Sequence, residues 1–173
     1  CYGGVNSGIY EDVKTWSNIV YISGYEDHAV GLRENGTLVP AGDEEHGKLE
    51  VRDLENVTQV VTGVEYTVAL TADGKVHYFG YNKHNRADCE KWTNVKKLLG
   101  GDDHLAAILD DGTMVAAGYN EYKECDLGSV SKAIGGAVAS CTTFVLNADH
   151  TVSDIGKNWC GEDDVFDWTD ILY

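Results

Sequence analysis

An all-β fold, a β-propeller-like array of 38-residue blades with four complete blades and partial strands at both ends, is the fold class this sequence predicts. Three observations predict it. Gly4, Gly42, Gly80, Gly118 and Gly156 stand 38 residues apart at every step, and 12 residues after each comes Trp16, Leu54, Trp92, Val130 or Trp168. Further columns keep the same frame: Leu32, Leu70, Ile108 and Leu146; Val30, Val68, Ala106 and Phe144; Asn35, Asp73, Asp111 and Asp149. The apolar runs are short and alternating, without the 3.6-residue period that a helical solenoid needs. The frame divides one domain, residues 1–173, into units 16–53, 54–91, 92–129 and 130–167, with partial units 1–15 and 168–173.

Within a unit the first strand is an apolar run such as Ile19 to Ser23 or Val57 to Val61, ending in a glycine-rich corner. The second strand, such as His28 to Leu32, carries large apolar residues on one side and small ones (Ala29 and Gly31, Thr67 and Ala69) on the other, so both faces read as buried. Asn35-Gly36, Asp73-Gly74 and Asp111-Gly112 follow, dipeptides suited to the positive φ of a tight hairpin turn. The third strand, such as Thr37 to Ala41 or Thr113 to Ala117, leads to about eleven polar residues, too irregular for a helix and long enough to hide a short fourth strand. A small sheet covered on both faces is what stacked blades provide.

Composition narrows the partners. The chain has 29 acidic and 13 basic side chains, a net charge of −16. Such a surface repels phosphate backbones and anionic lipid, which argues against nucleic acid and membranes as partners. No apolar stretch is long enough for membrane insertion, and the first residues lack a signal-peptide pattern. The five cysteines are irregularly spaced without a CxxC pair, which indicates neither a disulfide framework nor a zinc ribbon. A soluble protein, cytoplasmic rather than secreted or on the cell surface, is the expectation.

At Trp92-Thr93-Asn94-Val95, at His104, along Asp111-Gly112-Thr113-Met114-Val115-Ala116-Ala117-Gly118-Tyr119-Asn120-Glu121-Tyr122 and at Cys125-Asp126-Leu127 the chain resembles the short bacterial repeats of the regulator-of-chromosome-condensation propeller family. It also resembles, in architecture, the propeller-type β-lactamase inhibitors. The resemblance implies binding through loops on one propeller face, a protein partner, and, as a lower-ranked possibility, nucleotide exchange on a small GTPase. The fourth unit departs from the pattern, with His150 at the turn glycine and polar Ser153 and Asp154 in its third strand. Five units of 38 residues would need 190, 17 more than are present, so the chain is expected to be a fragment, a four-bladed ring with overhanging ends or one part of an assembly, its terminal strands either meeting in one mixed blade or pairing with another copy or a partner.

Catalytic chemistry finds no foothold. There is no GxSxG, HExxH or phosphate-binding loop, and no enzyme, cofactor or metal is expected. His28 and His104 share a column with Tyr66 and Thr142, which favours a structural role at the corner over a catalytic base. The acid-rich clusters lack the spacing of a calcium loop. What remains is a face. Strand one rises to the corner and strand three rises to the start of the long loop, so both lie on one side. That face gathers Tyr25, Tyr81, Tyr119, Tyr122 and Trp159 among Glu26, Asp27, Glu44, Glu65, Asp102, Asp103 and Glu121. Rigid aromatics among carboxylates suit a protein partner with a basic surface; a glycan- or calcium-binding propeller is the alternative.

Overall fold

The computed structural model describes residues 12–157 together with 165, 168, 169 and 171. Among them twelve strands form four antiparallel sheets of three. Blade 1 is β1 (Ile19–Tyr25), β2 (His28–Arg33) and β3 (Leu38–Gly42); blade 2 is β4 (Val57–Gly63), β5 (Tyr66–Thr71) and β6 (Val76–Gly80). Blade 3 is β7 (Val95–Gly100), β8 (His104–Leu109) and β9 (Met114–Gly118); blade 4 is β10 (Ala133–Val138), β11 (Thr142–Asn147) and β12 (Val152–Gly156). The register repeats with the sequence: Leu32 faces Leu38, Leu70 faces Val76, Ile108 faces Met114 and Leu146 faces Val152. The propeller-like array is therefore the fold of the described chain.

Packing between blades follows one plan. Val30, Leu32 and Leu38 of blade 1 point forward and share a core with Val57 and Val60 of blade 2. Val68, Leu70 and Val76 meet Val95 and Leu98 of blade 3 in the same way, and Ala106, Ile108 and Met114 meet Ala133 of blade 4. A three-stranded sheet has too little apolar area to stand alone, so each blade depends on its neighbours. The column before strand one seals each core: Val51, Cys89, Leu127 and Val165 are all buried. Leu54, Trp92 and Val130 pack against these cores as the column predicts, whereas Trp168 is 54% exposed.

Two details differ from the sequence reading. No fourth strand occurs among the described residues. The long loops carry short 3-10 turns instead, at Glu45–Gly47, Lys83–Lys91 and Leu127–Ser129, because their polar residues have no sheet edge to extend and close onto local carbonyls. In the hairpin turns only the second residue has positive φ, +79° at Gly36 and Gly74 and +82° at Gly112. The first residue works through its side chain instead: Asp111 Oδ1 accepts Thr113 N–H at 2.9 Å and its hydroxyl at 2.6 Å. In blade 4 His150 takes the left-handed conformation, with φ +65°.

The glycine column that first marks the repeat has a steric cause. A Cβ at Gly80, Gly118 or Gly156 would run into the carbonyl oxygen of Glu65, Asp103 or Cys141, and φ there is +115° to +132°. This is where strand three passes under the corner.

At the hairpin, a β-branched side chain at φ +82° is strained by on the order of 1 kcal/mol or more, while Asp111→Ala removes only exposed local hydrogen bonds. Gly112→Val should therefore have the lower denaturant midpoint of the two. Equal midpoints would show that this turn does not depend on the left-handed residue.

Candidate functional site

The corner face is assembled by a bond that every blade repeats. The residue opening the long loop donates its N–H to the carbonyl of the corner residue: Asp43 to Asp27 (3.0 Å), Tyr81 to Glu65 (3.0 Å), Tyr119 to Asp103 (2.9 Å) and Lys157 to Cys141 (3.0 Å). Corner and loop start thus share one face, as strand direction predicts. Glu26 and Glu65 adopt positive φ at the corner tips, at +42° and +58°, and Glu26 and Glu44 are exposed.

Several of the aromatic and acidic residues expected at this face have partners at the corners and loop starts. The Tyr25 hydroxyl donates to Asp102 Oδ1, so the corners of blades 1 and 3 meet over the inner strands. That bond, with burial second, raises the Tyr25 pKa. Lys48 Nζ donates to Asp43 at 2.7 Å and to Asp27 at 3.2 Å. The bond from Lys48 lowers the Asp43 pKa. Burial alone would depress the Lys48 ammonium, but its two carboxylate partners hold it above its ordinary value. Asp103 receives Lys83 at 3.2 Å and lies 3.8 Å from the Arg86 guanidinium. Tyr119 donates to Glu121, which raises the pKa of its hydroxyl. Trp159 lies outside the described residues.

Of two further columns at this face, marked by the 38-residue spacing, the sequence reading singled out only Tyr122. His46, His84 and Tyr122 form one; each meets the loop-start side chain of the following blade. The rings of His46 and Tyr81 are 5.1 Å apart, those of His84 and Tyr119 5.0 Å, and Lys157 Nζ lies 3.9 Å over the Tyr122 ring. A ladder of ring contacts therefore crosses the blades. Beneath it runs a buried charged column: Lys48, Arg86 and Glu124 are 1%, 0% and 0% exposed. Arg86 donates to the carbonyls of Val64 (3.0 Å), Asp102 (3.3 Å) and Tyr81 (2.8 Å) and stacks 4.6 Å over Tyr66. It ties the corners of blades 2 and 3 to the loop between them.

The histidine column is structural, as its alternation with Tyr66 and Thr142 suggests. His28 Nε2 lies 3.2 Å from Tyr66 O, the Tyr66 hydroxyl donates to Gly101 O at 2.7 Å, and His104 Nε2 lies 2.9 Å from Thr143 Oγ1, each reaching the next blade. Burial pushes the thiols of Cys89 and Cys125 up to about 12. Among the described residues no group of three or more His, Cys, Asp or Glu is placed to hold a metal, and no helix is long and apolar enough to cross a membrane.

The arrangement of blades is similar to that of several solved structures. No family model matches the chain, nor does any curated protein. Prp20p from Saccharomyces cerevisiae matches with a TM-score of 0.69 at 17% identity, over 82% of this chain and 46% of Prp20p. Human WBSCR16 matches with 0.68 at 16%, over 80% and 47%, and the ectodomain of the Physcomitrella patens receptor kinase CR4 with 0.67 at 15%, over 82% and 39%. The fold is that of a regulator-of-chromosome-condensation-like propeller. The chain spans about half the length of these neighbours or less, and at such identities the likeness is one of fold.

His104 generates a pH prediction. Burial lowers its pKa to about 4, below the ordinary 6.5. Between those values the unfolded chain binds a proton that the folded chain does not, so this group's contribution to stability falls as pH drops from about 6.5 towards 4. Denaturant titrations of wild type should lose stability across this window, and His104→Gln should flatten the slope. An unchanged slope would show that His104 does not titrate below its ordinary value.

Proposed function

We propose that the chain is a non-enzymatic protein-interaction module that engages a basic protein surface through the corner face. The carrying observation is Lys157 over Tyr122: the chain's own ammonium occupies one step of the ring ladder. Tyr81, 49% exposed, offers a partner's Lys or Arg a ring of the same kind, with exposed Glu44 and Glu121 on the same face. The net charge of −16 steers a cationic partner towards it.

Tyr25, Glu26, Asp27, Glu65, Asp102 and Asp103 support this reading as the corner half of the face. Tyr119, Glu121 and Tyr122 are its loop half. Several of the carboxylates already have intramolecular partners, Asp27 with Lys48 and Asp103 with Lys83. The rings, the exposed Glu44 and the exposed Glu121 beside Tyr119 therefore carry the contact, while Asp27 and Asp103 hold the corners in place. The structural neighbours include proteins described by protein binding: Prp20p by its binding to Gsp1p and histones, and the same yeast protein in complex with Kap60. The terminal strands expected to pair with each other or with another copy lie largely outside the described residues.

Affinity for Lys/Arg-rich peptides, with acidic and neutral peptides as controls, tests the face. Binding should weaken steeply with salt, and Tyr81→Ala should reduce it about tenfold, the worth of one desolvated cation–ring contact, while leaving circular dichroism unchanged. Salt-insensitive binding, or unchanged affinity in Tyr81→Ala combined with Glu121→Gln, would overturn the reading.

A further inference from the structure

The ladder of ring contacts at the corner face repeats one arrangement with two kinds of chemistry. In its third step the ring meets an ammonium, Lys157 Nζ lying 3.9 Å over Tyr122. In the first two steps the ring meets an imidazole: His46 stands 5.1 Å from Tyr81 and His84 stands 5.0 Å from Tyr119, centroid to centroid. Both lie inside the roughly 6 Å over which an aromatic face attracts a cation. The two histidines occupy the same place in the repeat, and the backbone of each takes the left-handed conformation there, at φ +61° and +56°. Both are exposed, so a proton reaches them without any opening of the fold.

The charges around each ring are identifiable. His46 follows Asp43, Glu44 and Glu45 in its own loop, where Lys48 is already bonded to Asp43 and Asp27. Blade 2 faces it with Tyr81, bonded through its N–H to the Glu65 carbonyl, and β6 beside the turn carries His77 and Tyr78. His84 lies between Lys83, bonded to Asp103, and the buried Arg86. Tyr119, with its hydroxyl bonded to Glu121, faces it from blade 3, where β8 begins with His104. The free carboxylates next to the two steps are Glu44, Glu45 and Glu121, all exposed.

We propose that the first two steps are cation subsites under proton control. With His46 and His84 neutral, Tyr81 and Tyr119 receive Lys or Arg side chains of the basic partner; with both protonated, the chain's own imidazolium groups serve those rings and the partner is released. This inference rests on the corner face being the binding face, and it assigns that face its regulation. The third step displays the charged arrangement permanently, with the chain's own ammonium on the ring. Protonation acts twice: it supplies each ring with a cation, and it sets two positive charges among the carboxylates that attract the partner. Binding is therefore present above the imidazole range and lost as pH falls through it.

Affinity for a Lys/Arg-rich peptide, blocked at both ends so that it does not itself titrate, is to be measured at about pH 7.5 and about pH 5.5, on either side of that range. The wild-type chain should bind at the higher pH and bind about tenfold more weakly, or worse, at the lower. His46→Asn combined with His84→Asn should bind alike at both, asparagine being a residue that tolerates the left-handed conformation. His46→Lys combined with His84→Lys should bind weakly at both, as the protonated wild type does. Circular dichroism at each pH is the fold control, and His28, His77, His104 and His150 remain in every variant, so any effect of theirs is common to all. Absence of wild-type binding at the higher pH would overturn the reading of the face and the proton control with it. Equal wild-type affinity at the two pH values would overturn the proton control alone. So would a loss on acidification that persists in the Asn variant, or full affinity of the Lys variant at the higher pH.

Discussion

Everything in this molecule depends on the contact between the forward pair of one blade's second strand and the backward column of the next blade's first strand. A sheet of three strands of five to seven residues cannot bury enough apolar surface to order itself. Stacking removes both faces of the middle strand from water, which is why all six residues of β5 are buried. The same contact sets the composition of the repeat: bulk where the side chain points forward, as at Val68 and Leu70, and small residues such as Ala69 and Ala107 where it points back.

The polar parts of the structure serve the same stacking. First strands of neighbouring blades do not pair through the backbone, and side chains make the link instead. The Gln59 amide accepts Leu98 N–H at 2.8 Å and donates to Leu98 O at 2.9 Å, standing in for a strand neighbour. Between blades 1 and 2 Ser23 Oγ accepts Thr62 N–H at 2.9 Å, two residues further along the repeat frame. At the corner His28, Tyr66 and His104 reach across in turn, and Arg86 gathers three carbonyls where the chain leaves the sheet. These buried polar side chains bond to main-chain carbonyls or to a hydroxyl, which offsets part of the cost of their burial.

The candidate face was legible in part. Tyr81, Tyr119 and Tyr122 announced themselves as aromatics outside the core columns, and strand direction placed them beside Glu65, Asp102 and Asp103. The pairing of Tyr25 with Asp102 was not legible, since it joins blades 1 and 3 and depends on the angle between blades. Lys48 and Arg86 were missed for a different reason. Long basic residues in a polar loop read as solvated, and only the fold shows a pocket of carboxylates or carbonyls closing over them. The irregular fourth blade was visible at His150, Ser153 and Asp154, and the structure keeps its sheet regular because backbone pairing tolerates those side chains.

The sequence by itself determined the period, the three strands per blade, their register and the direction of each side chain, because these follow from local periodicity and from glycine at positions where no Cβ fits. It could not decide that the long loops close as 3-10 turns rather than a fourth strand, since that choice depends on whether a sheet edge is within reach. Nor could it decide which charges are buried, or that Ile22 is bare while Val60 and Leu98 are covered. All three residues are alike in kind and stand in one column. Exposure is a property of what packs against a residue, and only the order of blades in space supplies that neighbour.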